Sequence, residues 1–174
     1  AQYKLAPRLR LQYNEDVISK ANPRKAGVLA LFYPNNSNET CFLLTLRASY
    51  KGTHSAQISF PGGKFETKDK SLEKTALREA YEEVGINSKL VKIFKEVTDV
   101  YIPPSNFLVT PYLAFTSKTP IFKKNEEVET LIEVKLSELL NNNSITTTEV
   151  TTSYMKKIKV PCFKLNTHTV WGAT

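Results

Sequence analysis

Along most of this chain, apolar residues come in short runs of strand length, with one interruption of helical spacing in the middle. GVLALFY (27–33) and CFLLTLR (41–47), separated by the turn cluster PNNSNET, predict a hairpin. After the loop ASYKGTHSA, QISF (57–60) predicts a short strand ending in a turn at Pro61-Gly62-Gly63. The period then changes. Leu72, Ala76, Ala80 and Val84 recur every four residues, and Gly85 stands where a helix stops, so SLEKTALREAYEEV predicts a helix. KLVKIFKEV (89–97), FLVTPYLAF (107–115) and TLIEVKL (130–136) predict further strands, with TDVYIPPSN as a loop and SELL as a turn. ITTTEVTT and IKVPCFKL predict a late hairpin, and residues 1–25 read as a polar N-terminal arm. Strands on both sides of one central helix predict an α+β fold built on a mixed sheet.

Composition narrows this picture only a little. A chain of 174 residues suits a single domain over 1–174. Its 41% hydrophobic and 24% charged residues are ordinary for a soluble globular protein. The net charge of +7 tilts the field toward an anionic small-molecule ligand. Because the lysines are scattered, with no basic tail, no nucleic-acid partner is expected. Cys41 and Cys162 sit in apolar surroundings and read as buried small hydrophobes. Two cysteines in a domain of this size suggest a reducing compartment. No apolar stretch approaches the ~20 residues of a membrane span, and no signal peptide is visible, so the expectation is a cytoplasmic protein without a membrane partner. The chain begins without Met and stops at WGAT, which suggests a C-terminal helix lying beyond Thr174. A homodimer is a compatible assembly.

The chemistry concentrates in FPGGKFETKDKSLEKTALREAYEEVGI, Phe60 to Ile86. Glu79 and Glu83 form a like-charge i,i+4 pair, which weakens a helix modestly. Acid near a helix C-terminus also opposes the macrodipole. At about 100° per residue, Glu79, Glu82 and Glu83 share an arc of about 100° that borders the Ala76–Ala80–Val84 stripe. Carboxylates at the rim of a core need partners. Hard oxygen donors on one side of a helix suit Mg²⁺ or Mn²⁺. The plainer alternative is a solvated acidic helix end with Arg78 bridging to a neighbour.

This stretch resembles the Nudix signature, in which Arg-Glu-hydrophobic-x-Glu-Glu-x-Gly-hydrophobic follows an earlier Gly and an acid. REAYEEVGI matches every fixed position of that second half. The first half differs: counted from Gly63, Asp69 takes the acid's place with one extra residue between them. That spacing looks like the coenzyme A diphosphatase branch. LLTLRASYKGTHSAQISFPGG is similar to the same branch through Arg47, His54, Gln57 and Phe60, while Ala56 and Gly52 replace residues common there. The resemblance implies a Nudix fold with further helices packed on the sheet. It also implies metal-dependent hydrolysis of a phosphoanhydride, with coenzyme A or its derivatives cleaved to adenosine 3′,5′-bisphosphate and 4′-phosphopantetheine. Carried over, Glu79, Glu82 and Glu83 hold Mg²⁺ or Mn²⁺, Arg78 orients them through a buried ion pair, and Glu127 is a further ligand or base. Arg47, His54, Gln57, Gly62 and Gly63 bind substrate.

Two other functions remain open at this point. One is a house-cleaning hydrolase of nucleoside triphosphates or nucleotide sugars; the other is a non-catalytic Nudix module that binds nucleotide or RNA. Glu126 and Glu127 also read as a charged loop, and His168 and Trp171 as packing residues. No P-loop, nucleophile elbow, zinc-spaced Cys/His set or dinucleotide-binding glycine pattern is present.

Overall fold

The computed structural model describes residues 14–48, 57–151, 157–172 and 174. A short helix α1 (Glu15–Lys20), capped by the Asn14 side chain on the Val17 amide, precedes β1 (Arg24–Pro34). β2 (Thr40–Arg47), β3 (Ile58–Ser59) and β4 (Gly62–Lys64) lead into helix α2 (Leu72–Val84). β5 (Lys92–Glu96), β6 (Val100–Ile102), β7 (Phe107–Phe115) and β8 (Val128–Lys135) complete an eight-stranded mixed sheet. Helix α3 (Leu136–Leu139) then leads to a separate three-stranded antiparallel sheet of β9 (Ile145–Val150), β10 (Ile158–Leu165) and β11 (His168–Trp171). The predicted α+β class and mixed sheet are therefore correct.

β1 is the axis of the large sheet. One edge runs parallel to β7 from Arg24↔Phe107 to Phe32↔Phe115. Its other edge is shared: β4 pairs with residues 26–28, and β2 only with residues 32–34. β2 is divided in the same way, meeting β1 at residues 40–42 and β3 at Thr45 and Leu46. β1 and β2 thus part company like a fork, and the β3–β4 segment fills the opening. The Leu29 amide donates to the Pro61 carbonyl at 2.8 Å at the point of divergence.

The two faces of this sheet bury different cores. Leu29, Leu31 and Tyr33 of β1, with Leu43 of β2 and Tyr112 of β7, receive Ala76, Leu77, Ala80 and Val84 of α2. Small residues let the helix settle close, and a Cβ on Gly27 would collide with the Leu72 carbonyl. Each fully buried Val or Leu contributes about 1.5–3 kcal/mol. Opposite, Phe42, Leu44, Ile132 and Val134 are covered by Leu165 and Val170 of the small sheet. Ser71 caps the start of α2 by accepting from the Lys74 amide, and Gly85 ends it in the left-handed conformation at φ 74°.

Five expectations change. Gly62–Lys64 is a strand on β1 rather than a bare turn, and β6 with a 3-10 turn at Pro103–Ser105 lies within the predicted loop TDVYIPPSN. SELL belongs to helix α3, and the late hairpin gains a third strand, β11. The segment before residue 25 carries α1, and β1 begins at Arg24. The strands among these are set by pairing with a neighbour, while α1 and α3 are short helices. Among the described residues no helix is long and apolar enough to cross a membrane.

Candidate active site

The site forms where the fork meets the last turns of α2. Gly62 has φ 152°, and a Cβ there would lie 2.5 Å from the Gly27 carbonyl oxygen and 2.6 Å from Val28 Cα. Glycine is therefore required for β4 to lie against β1. The same backbone turns the Gly62 N–H toward α2, where it donates to Glu83 Oε2 at 2.9 Å. A Cβ on Gly63 would come within 2.5 Å of Glu79 Cδ, so the Glu79 carboxylate rests directly on the β4 backbone.

Two arginines organise the carboxylates. Arg78 is bidentate to Asp69, with Nε on Oδ1 and an NH2 nitrogen on Oδ2, each at 2.9 Å. Its other terminal nitrogen donates to Glu79 at 2.9 Å and to Glu82 at 2.8 Å, and the guanidinium also reaches the Lys64 carbonyl at 3.2 Å. Asp69 accepts further bonds from the Glu66 amide and the Thr75 hydroxyl. Arg47, at the end of β2, donates to Glu83 Oε1 at 3.2 Å and pairs with Glu127 at 3.5 Å. Its Nε is buried without a hydrogen-bond partner among the described residues.

Glu127 arrives on the β7–β8 connection, which straps over the end of α2. The Lys123 amide donates to the Val84 carbonyl at 2.9 Å and the Asn125 amide to the Glu83 carbonyl at 3.0 Å. These bonds satisfy helix-end carbonyls that would otherwise lack partners. The Asn125 side chain accepts from the Glu127 amide, and the Glu127 carbonyl accepts from Ala48, which fixes the strap beside β2.

Burial and neighbouring carboxylates raise two of these carboxyls. The Glu83 side chain is only 4% exposed. Burial pushes its carboxyl up to about 7; the Gly62 N–H and Arg47 oppose that shift, while Glu79 and Glu127 add to it. Glu79 is raised as well, first by burial, with Arg78 opposing. Asp69 goes the other way: hydrogen bonds from Arg78 hold it well below the usual carboxylate range.

Glu79, Glu83, Arg47, Arg78, Gly62 and Gly63 therefore come together at one face, with Glu127 at its edge. Glu82 is half-exposed and reaches the site through Arg78. Gln57 lies beside Arg47, accepting its amide N–H on the main-chain carbonyl at 3.1 Å. His54 lies outside the described residues. Among the described residues, no group of three or more His, Cys, Asp or Glu side chains stands ready-made around one metal position. The repulsion along α2, which residue spacing suggested a metal would offset, is offset here by Arg78 and Arg47. The Asp69–Arg78 clamp explains the Asp placement that departs from the Nudix spacing. Asn125 carries no sequence motif, because it acts through a contact some forty residues distant, at Glu83.

A fold of this architecture, with an Arg-Glu-x-x-Glu-Glu helix seated on a Gly-Gly strand, is that of the Nudix proteins. The NUDIX domain model matches residues 23–152, and the chain belongs to that family. It is 38% identical over 104 residues to the uncharacterized Nudix hydrolase NudL of Yersinia pestis (strain Pestoides F), covering 59% of this chain and 52% of the relative. The chain thus spans about half the length of the curated relatives it matches. Among solved structures it resembles the Nudix hydrolase RenU of M. smegmatis, with TM-score 0.56, 20% identity, and coverage of 68% of this chain and 74% of that one. The NUDIX domain of Shewanella oneidensis NrtR, complexed with ADP ribose, gives TM-score 0.55 at 19% identity, covering 75% and 82%.

Proposed function

We propose that this domain is a metal-dependent hydrolase of a phosphoanhydride bond in a nucleoside diphosphate derivative. The observation that carries this reading is Glu83, a buried carboxylate held by the Gly62 amide and Arg47, with the charges of Glu79 and Glu127 beside it. The donor set suits Mg²⁺ or Mn²⁺: all oxygen, mutually repelling, and seated where Gly63 leaves room for Glu79. Glu79, Glu82 and Glu83 would hold the ion. When bound, such an ion neutralises a diphosphate and lowers the pKa of water.

The remaining work falls to the chain. Arg78 fixes Glu79 and Glu82 against β4, so that their oxygens are oriented before substrate arrives. Glu127, largely exposed, would take the proton of the attacking water. The water oxygen bonds to one phosphorus, the bridging P–O bond breaks, and the departing phosphate carries away the bond's electron pair. Arg47, Gln57 and His54 are suited to the substrate's phosphates, Arg47 through its planar fork.

Within that class, coenzyme A or a derivative is the substrate favoured by the stretch from Leu43 to Gly63. ADP ribose in the related NrtR domain supports the broader diphosphate class. The test compares kcat/KM for coenzyme A, dephospho-coenzyme A, ADP-ribose and dGTP at fixed Mg²⁺. Coenzyme A is expected to lead. A clear lead for ADP-ribose or dGTP removes the coenzyme A reading and keeps the hydrolase. No turnover of any with Mg²⁺ or Mn²⁺ favours the non-catalytic binding module.

A further inference from the structure

Arg78 and Arg47 both reach the carboxylates of α2, but only Arg78 is fully engaged. Its Nε and both terminal nitrogens all have acceptors, and its closest contacts fall at 2.8–2.9 Å. Arg47 touches each of its two acids with a single terminal nitrogen, at 3.2 and 3.5 Å. Its Nε, although buried, makes no hydrogen bond among the described residues. A guanidinium built to brace a fold uses its fork; this one acts mainly as a positive charge parked between Glu83 and Glu127. We infer that Arg47 is a resident counter-cation of Glu83 and Glu127 that competes with a divalent metal ion for Glu83.

The physical ground is charge. Glu83 is enclosed, its Oε2 is taken by the Gly62 amide, and its Oε1 faces Arg47. A cation arriving at Oε1 must either displace the guanidinium or lie against it in a poorly screened site, where like charges repel strongly. Arg47 therefore keeps the carboxylates tolerable in the metal-free protein and weakens metal binding by the same interaction. Once displaced, the guanidinium is free to meet a phosphate. An arginine that merely oriented Glu83 would have the reverse effect, since its loss would scatter the donor and weaken metal binding. The inference rests on Glu83 being a metal carboxylate.

The experiment is a Mn²⁺ titration of the protein without substrate, read by electron paramagnetic resonance of free Mn²⁺, for wild type, Arg47→Met and Arg47→Lys. Circular dichroism melting in EDTA checks that each variant is folded. Removing one charged contact predicts Mn²⁺ binding tightened by about tenfold to a hundredfold in Arg47→Met. Arg47→Lys keeps the charge but cannot span both acids, so its affinity should fall in between. If Arg47→Met does not fold, tighter binding by Arg47→Lys supports the inference, and unchanged or weaker binding overturns it. Unchanged or weaker binding by folded Arg47→Met overturns it alone. Absence of Mn²⁺ binding in wild type and variants overturns it together with the metal reading.

Discussion

The corner around Arg78 and the corner around Arg47 use the same side chain on the same row of glutamates, and they are built for different ends. Around Arg78 every donor has an acceptor, and Asp69, only 4% exposed, is bonded on both oxygens. Around Arg47 the contacts are longer, Nε has no partner among the described residues, and Glu127 is open to solvent. A closed hydrogen-bond network is rigid and expensive to break, whereas an open one can be rearranged by a ligand. The first corner holds α2 to the β4 segment. Under the proposed metal reading, that rigidity would keep Glu79 and Glu82 aimed while Arg47 gives way to an arriving ion.

Unfolding measurements can break that contrast. The largest loss is expected for Asp69→Ala, which strands Arg78 and unbinds Thr75; removing one partner of a buried ion pair destabilises by about 3 kcal/mol or more. Urea denaturation in EDTA checks it, and a loss below about 1 kcal/mol would mean the clamp is not structural. A smaller effect is expected in acid. Because Asp69 is held below its unfolded pKa of about 3.9, its contribution is fully present above that value and is lost progressively as pH falls below it toward the lower folded pKa. Wild-type stability should therefore drop more steeply below about pH 4 than that of Asp69→Asn. Parallel acid limbs for the two proteins would contradict this. The smallest effect is expected for Arg47→Met, whose metal-free stability should lie within about 1 kcal/mol of wild type. A loss as large as that of Asp69→Ala would erase the distinction between the corners.

Much of this arrangement could be read from residues alone, and the exceptions have a common cause. The limits of α2 followed from Leu72, Ala76, Ala80 and Val84 with Gly85 behind them, and FLVTPYLAF matched β7 residue for residue. Both are local signals. Gly62–Lys64 has no apolar alternation, because it is a strand only through close approach to Gly27 and Val28. The partners of Arg47 were equally hidden: Glu83 lies 36 residues away in sequence and meets it only because the fork brings the end of β2 to α2. Arg78 was expected to orient the glutamates, but its main partner, Asp69, was read only as a displaced signature acid. Spacing along a helix shows which carboxylates share a face; it does not show which cation meets them.

The most direct test of a metal hydrolase site on α2 is the kcat of Glu83→Gln beside wild type, at saturating Mg²⁺, on the best substrate of the panel. Glutamine removes the charge; the relief of a buried anion offsets the loss of the long Arg47 contact, worth about 1 kcal/mol or less, in the metal-free fold. The account predicts a melting temperature within a few degrees of wild type in EDTA, and turnover lower by about a thousandfold or more. Turnover within about tenfold of wild type in a folded Glu83→Gln protein would contradict it.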